Sequence, residues 1–273
     1  MKIVNIVICF NNEKEIITFA QQFQAQCLQE PVELVVVINE LSQDKIRKLV
    51  DELNRLGIIY NVYNPNINLG YLNGLIYGYR QYVEKNGKAD WVIFSNTDIK
   101  YNVEEFNRYI NEKKYEKDVW CVGPAVYSLI RRTYDNPVSL KRRSKAKIKK
   151  LIKIFRLPIF NVLYITLSDI KARIFPHKMG NPQEVYEVHG CFFIIKKELG
   201  DILLNNGYPF FMYSEEAYIA ELVYHNKRKI FYDSNLLVTH LEHSVTGILK
   251  KQKIATYMSE SLQVIYDIFY KRG

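Results

Sequence analysis

The stretch Ile93–Asn102, IFSNTDIKYN, decides how this chain is read. An apolar run ends there in Asn96-Thr97-Asp98. A buried strand seldom stops on a carboxamide and a carboxylate unless something meets them, because a buried polar group without a partner costs free energy. Working outward, Trp91–Ser95 is the fourth strand of the chain, after the apolar runs Ile3–Phe10 and Val32–Ile38 and a third strand at Ile58–Tyr63. Between them lie Glu13–Leu28, with helical spacing at Ile16, Phe19, Ala20, Phe23 and Cys27, then Gln43–Leu56 and Leu69–Val83. Strands apolar on both faces, separated by amphipathic helices, predict an α/β fold: a mostly parallel central sheet with helices on both faces.

In such sheets ligands bind beyond the carboxyl ends of the strands. Those ends read Asn11-Asn12, Asn39-Glu40, Asn64 to Asn68, and Asn96-Thr97-Asp98. Asn and Asp favour turns in any case, but four polar ends in register point to a ligand crevice that Asp98 faces. The competing reading of Asp98 is an N-cap for a helix over Val103–Tyr109. Further on, Val119–Val126 extends the sheet and Val185–Ile195 reads as a strand running into a helix. A helix begins near Ser214, two short strands occupy Lys229–His240, and Tyr257–Tyr270 is a C-terminal helix. No internal repeat appears. One domain is expected, 1–273, with a basic helical insertion at 128–180 between its halves at 1–127 and 181–273.

The chain has 273 residues, enough for one large α/β domain, and 48% apolar residues, enough for a sizeable core. Its net charge of +9 is concentrated. Arg131 to Arg156 holds eleven Lys and Arg against Asp135 alone, so the rest of the chain is slightly acidic. Cys9, Cys27, Cys121 and Cys191 are not close-spaced, which excludes a zinc knuckle or a CxxC redox motif. The N-terminal apolar run is too short for a signal peptide, and no stretch approaches the ~20 apolar residues of a membrane span. The expectation is a cytosolic, reduced protein.

Most nucleotide motifs are missing. The first strand is followed by CFNNEKE, with no GxGxxG; there is no GxxxxGK[ST] loop and no GxSxG elbow. HLEH lacks the HExxH spacing. What remains is a carboxylate at a strand end, the acidic pair Glu215-Glu216 at a helix start, and His240. A hard cation on a diphosphate takes oxygen ligands and tolerates one imidazole. Sugar transfer from a nucleotide donor needs that cation, and a carboxylate to take the acceptor's proton.

Six stretches in order resemble glycosyltransferase family 2, the inverting nucleotide-sugar transferases of GT-A fold, and especially its rhamnosyltransferase-like bacterial branch. They are IVICFNN, INELSQD, NPNINLGYLNG, FSNTDI, VHGCFFIIKKE and the long run FFMYSEEAYIAELVYHNKRKIFYDSNLLVTHLEHS. The resemblance covers nearly the whole chain outside the basic insertion. It implies a nucleotide-sugar site at Cys9, Phe10, Asn11, Asn39, Asn68, Gly70, Asn96 and Asp98. It implies a divalent cation, Mn2+ or Mg2+, on Asp98 and His240, with Glu216 as general base and Glu215 as the fallback. Gly190, Phe211 and Tyr213 fall on the acceptor side, and the acceptor is a saccharide or lipid-linked saccharide of bacterial surface polysaccharide synthesis. The chain departs from the family's pattern at Asn39 and Asn96, each replacing an Asp. Glu216 stands where an Asp would be the base, Tyr218 where the next Asp falls, and Leu222 near its Arg. A misplaced base costs up to about 100-fold per ångström. These departures keep open an alternative, a non-catalytic member that binds a sugar nucleotide or a partner.

Within the basic segment, KAKIKKLIKIFRL sets Ile148, Leu151, Ile152 and Phe155 on one helical face among lysines. That pattern predicts a helix over 141–157 lying on an anionic membrane surface, with peripheral association at the inner face of the cell membrane. Aromatic residues are not interleaved as in nucleic-acid readers, so no nucleic-acid partner is expected.

Overall fold

The computed structural model describes residues 1–24, 31–242 and 251–271. Cys27 and the end of the HLEHS motif lie outside the described residues. The first half forms β1 (Ile3–Phe10), α1 (Glu13–Ala20), β2 (Glu33–Glu40), α2 (Gln43–Leu56), β3 (Tyr60–Tyr63), α3 (Leu72–Asn86) and β4 (Trp91–Ser95). Then come β5 (Ile99–Lys100), α4 (Val103–Lys113), β6 (Val119–Ser128) and β7 (Thr133–Tyr134). The basic segment folds as α5 (Lys145–Arg156) and α6 (Pro158–Ile174). The remainder is β8 (Gln183–Val185), β9 (Phe192–Lys196), α7 (Lys197–Asn206), α8 (Glu215–His225), β10 (Lys229–His240) and α9 (Lys251–Phe269).

The strands form one sheet in the order β3-β2-β1-β4-β9-β6-β10-β5, with β7 beside β6 and β8 beside β10. Neighbours β3, β2, β1 and β4 are parallel, as expected. The sheet as a whole is mixed. β9 runs antiparallel between β4 and β6, and the short strands β5, β7 and β8 are also antiparallel to their neighbours. The core follows the two-residue period of a strand. Val4 and Ile6 of β1 pack with Val35 and Val37 of β2 against α3 and α7, while Val7 and Cys9 pack with Leu34, Val36 and Ile38 against α1, α2 and α4. Gly78 lets α3 lie close to the sheet: a Cβ there would sit 2.6 Å from Val37 and 2.8 Å from Ile6.

Two strand expectations need correction. The run Val185–Ile195 is two strands in different parts of the sheet, β8 on β10 and β9 between β4 and β6. The chain turns between them at His189–Cys191, where the His189 ring accepts the Cys191 backbone N–H at 3.1 Å. Lys229–His240 is one strand, β10. Its register slips between Asp233 and Leu237, where the fully buried Asp233 accepts hydrogen bonds from Tyr109 and Tyr115.

The basic segment also differs from its expectation. The α5 residues Ile148, Ile152 and Phe155 are buried, because α9 packs along that face. Arg142 and Arg143, just before α5, turn inward to the carboxylates of Glu221 and Glu187. The apolar face of α5 is thus part of the core and not available to a bilayer. No described helix is long and apolar enough to cross a membrane.

Candidate functional site

The carboxyl ends of β1, β2 and β4 open into a cavity of about 420 Å3. Ile8, Phe10 and Asn12 come from the β1 end, Asn39 from β2, and Ser95 to Asp98 from β4. The loop before α3 supplies Asn68, Gly70 and Tyr71; the aromatic loop before α8 supplies Phe211 and Met212. Lys253 and Tyr257 of α9 close the remaining side.

Side-chain amides shape the loop. The buried Asn39 donates to the Gly70 carbonyl at 2.7 Å, and the Asn68 side chain accepts the Gly70 N–H at 2.9 Å. A carboxylate at 39 could not donate to a carbonyl oxygen, so the Asn suits this loop. Gly70 has φ +77°, and a Cβ there would fall 1.9 Å from the Phe211 carbonyl oxygen. Close backbone approach therefore joins the two loops. On the other wall Asn12 donates to Glu15 and to Thr97, both at 2.9 Å, and Thr97 donates to Glu15.

Asp98 lies between β4 and β5, and β5 pairs with the end of β10 so that Ile99 sits opposite His240. That pairing brings Asp98 Oδ2 within 3.3 Å of His240 Nε2. Both side chains are buried. Neither Asp98 Oδ2 nor either His240 nitrogen has a hydrogen-bond partner. Buried polar atoms are nearly always paired, so an orphaned carboxylate oxygen facing an orphaned imidazole suits a cation held between them. Asp98 does not cap α4; Asn102 does, accepting from the Glu105 N–H at 3.2 Å. Asp135, His240 and Glu242 also lie within 4.8 Å of one another. There the Arg131 guanidinium bonds both carboxylates. Burial pushes the Asp135 carboxyl up to about 6, against the pull of Arg131. His189, whose ring centre is 5.9 Å from that of His240, is pushed down to about 3 by burial and by that neighbour.

The acidic pair sits at the start of α8, which the chain enters through two left-handed residues, Tyr213 at φ 72° and Ser214 at φ 61°. Glu215 is buried and accepts the Tyr213 backbone N–H at 2.8 Å. Glu216 is half-buried, and its Oε2 lies 3.2 Å from where a Cβ on Gly190 would be. A side chain at 190 would crowd that carboxylate. Burial raises the pKa of both acids. The Glu216 charge raises Glu215 further, while the backbone and Arg143 pull Glu216 back. Tyr71 joins this group to the cavity: its hydroxyl donates to the Gly190 carbonyl at 3.0 Å, and its pKa is raised by burial and by the charges of Glu215, Asp98 and Glu216.

Of the residues read from sequence, Phe10, Asn39, Asn68, Gly70, Asn96, Asp98 and Phe211 line the cavity. His240 meets Asp98 at its wall, and Gly190, Glu215 and Glu216 lie behind Tyr71. Tyr213 stacks on Tyr257 with ring centres 6.2 Å apart, next to the cavity. Cys9 and Asn11 do not line it. The Cys9 side chain points into the core, where burial pushes its thiol up to about 12. Asn11 is exposed and donates to Glu40 at 3.0 Å. Sequence reading missed Glu15, Tyr71, Lys253 and Tyr257. Tyr71 stands directly after the glycine of a recognised motif, which is a usable signal. Lys253 and Tyr257 reach the cavity only because α9 packs back across the fold.

No family model matches the chain, and no curated protein matches it. Solved structures do. The mannosyltransferase PcManGT from Pyrobaculum calidifontis, in complex with GDP-Man and Mn2+, is 11% identical with TM-score 0.53, over 87% of this chain and 56% of that one. GalNAc-T7 with UDP, GalNAc and Mn2+ is 12% identical with TM-score 0.62, over 99% and 48%. TarS 1-349 of S. aureus, in complex with UDP-GlcNAc, is 16% identical with TM-score 0.55, over 92% and 62%. The chain thus has the GT-A fold, and it spans roughly half to three-fifths of the length of these proteins.

Proposed function

We propose that this protein is an inverting, metal-dependent glycosyltransferase that moves a sugar from a nucleoside-diphosphate sugar to a saccharide or lipid-linked saccharide. The observation that carries the reading is the buried Asp98 Oδ2, without a hydrogen bond, facing His240 at 3.3 Å on the wall of a 420 Å3 cavity. Asp98 and His240 would hold Mn2+ or Mg2+, which supplies positive charge to the diphosphate. Phe10, Asn39, Asn68, Gly70 and Asn96 surround the nucleotide and diphosphate. Gly190, Phe211 and Tyr213 lie towards the acceptor. Glu216 accepts the proton of the acceptor hydroxyl as its oxygen bonds to the anomeric carbon, and the nucleoside diphosphate leaves from the opposite face with the electrons of the broken bond. Glu215, tied to the Tyr213 N–H, holds the entry to α8.

Neighbours of this fold were solved with GDP-Man, with UDP and GalNAc, and with UDP-GlcNAc, which supports a nucleotide-sugar donor. A role in bacterial surface polysaccharide synthesis, at the inner face of the cell membrane, follows from the sequence resemblance and the basic insertion. A second reading, binding without turnover, is favoured by one observation: Asn96 leaves Asp98 as the sole carboxylate of that motif.

Calorimetry with GDP-, UDP- and dTDP-sugars in the presence of Mn2+ tests the donor site. Asp98→Ala or a chelator should weaken binding at least about tenfold, the loss of a charge-assisted contact. Affinity indifferent to both would overturn the metal assignment. Binding of a donor that is neither hydrolysed nor transferred would favour the second reading.

A further inference from the structure

We propose that α6, rather than α5, is the surface that seats the protein on an anionic bilayer. Phe160, Leu163, Tyr164, Leu167, Ile170 and Ile174 recur at three- and four-residue steps and so share one side of α6. All six are exposed, from 43% at Tyr164 to 63% at Ile174, and Phe175 just past the helix end is 67% exposed. Apolar side chains grouped in this way on a surface mark a contact site. The face of α5 is covered by α9; on α6 the residue Tyr164 meets Phe155 of α5, ring centres 5.6 Å apart, and the rest of the stripe stays exposed.

The surrounding charge identifies the occupant. Residues 131–178 carry fourteen Lys and Arg against Asp135 and Asp169, a net +12, so the rest of the chain carries −3 of the total +9. Lys147, Lys149, Lys150 and Lys153 of α5 are exposed, as are Lys171, Arg173 and Lys178 around the end of α6. A second copy of the chain on this face would bring two such basic regions together, which Coulomb repulsion opposes. Nucleic acid would meet the lysines but leave the apolar stripe in water. An anionic bilayer matches both features: acyl chains for the stripe and headgroups for the lysines. A helix of 17 residues falls short of the ~20 that a membrane span needs, so α6 would lie in the interface.

The seat is mechanically joined to the cavity. α6 packs on α5 and on α9, and α9 carries Lys253 and Tyr257 into the cavity wall. Docking would therefore hold the acceptor side at a set distance from the lipid, a consequence that rests on the proposed transfer to a lipid-linked acceptor. The lipid contact itself does not depend on that reading.

The test uses the full chain and vesicles of phosphatidylcholine with or without phosphatidylglycerol. Wild type should co-sediment with the anionic vesicles, and a Trp at Leu167→Trp should be quenched by brominated acyl chains. The triple variant Leu163→Ser, Leu167→Ser, Ile170→Ser should lose at least roughly tenfold in partition, with melting temperature and donor binding unchanged because the side chains are exposed. Replacing Lys147, Lys149, Lys150 and Lys153 with Gln should weaken binding chiefly at low salt. Full binding by the triple variant, with loss in the lysine variant, would overturn the proposal in favour of purely Coulombic attachment through α5. A wild type that ignores vesicles, whether it binds oligonucleotide or forms a dimer that the triple variant breaks, would also overturn it. Vesicle binding without donor binding would sink the transferase reading and leave this one standing.

Discussion

Glu216 has a chemical task that its surroundings make costly. Burial disfavours the charged form, so its pKa is raised above the ordinary carboxylate range. A general base must be ionised, so kcat should rise with pH along an acid limb lying above that range. A rate profile of transfer measures this; a limb near the ordinary range would show a carboxylate in water. The stability sign runs the other way. With the folded pKa above the unfolded one, the stabilising contribution is present below the ordinary carboxylate range and is lost as pH rises through the folded value. Glu216→Gln should therefore melt higher than wild type at pH 8 and about equally below the ordinary carboxylate range, while kcat falls about 100- to 10,000-fold and donor affinity holds. A variant that keeps its kcat would return the role to Glu215 or to no residue. At this scale the sequence was informative wherever residue type and strand end coincide, as at Asn39, Asn68 and Asp98. It ranked Glu216 above Glu215 only through the family resemblance. Their difference lies in a backbone N–H at Tyr213 and an open glycine at 190, both set by tertiary structure.

Elements meet through glycines, and two substitutions separate backbone conformation from packing. Gly57 ends α2 at φ +66° with nothing within 4 Å of a Cβ. Gly57→Ala should cost about 1 kcal/mol, the left-handed penalty alone. Gly70 has a similar φ, but its Cβ would strike the Phe211 carbonyl at 1.9 Å. Gly70→Ala should cost more than that, and it should also weaken donor binding at least about tenfold, because the two loops that line the cavity must part. Urea denaturation and calorimetry of both variants check the contrast; equal costs would mean that the loop contact carries nothing. The parallel β1–β4 region was legible because its strands are short, largely apolar runs bounded by polar residues. β8 and β9 were not. Val185–Ile195 is apolar enough to read as one strand, and only the His189–Cys191 turn divides it. The apolar pattern of α5 identified a helix with one covered face, but the pattern predicts lipid where α9 covers it, because periodicity alone does not tell the two apart.

Two buried carboxylates, Glu221 and Glu187, tie the basic insertion to the rest of the molecule through Arg142 and Arg143, and Glu221 has the wider reach. Glu221 of α8 is 1% exposed and receives Arg142 Nη2 at 2.8 Å, together with the hydroxyls of Tyr186 and Tyr270. Arg142 lies between the rings of Tyr224 and Tyr270, at 4.5 and 4.3 Å from their centres, and reaches the Phe269 carbonyl at the end of α9. The Arg142–Glu221 pair thus joins the insertion to α8 and, through Tyr270 and the Phe269 carbonyl, to α9, beside the separate Arg143–Glu187 pair. α8 begins with the acidic pair, and α9 brings Lys253 and Tyr257 to the cavity. Removing Arg142 would leave Glu221 buried and uncompensated, which costs about 3–5 kcal/mol. Arg142→Lys should recover little, because an ammonium cannot fill a planar slot between two rings or bond both carboxylate oxygens. Glu221→Gln should be milder, since it removes the charge and keeps partners for the tyrosines. Arg142→Ala should also lower donor affinity without touching the donor, because α9 loses its tether. Urea denaturation sets the first quantity and calorimetry the second. A stability change below about 0.5 kcal/mol, the size of an ordinary surface substitution, would mean that the Arg142–Glu221 pair does not hold the insertion.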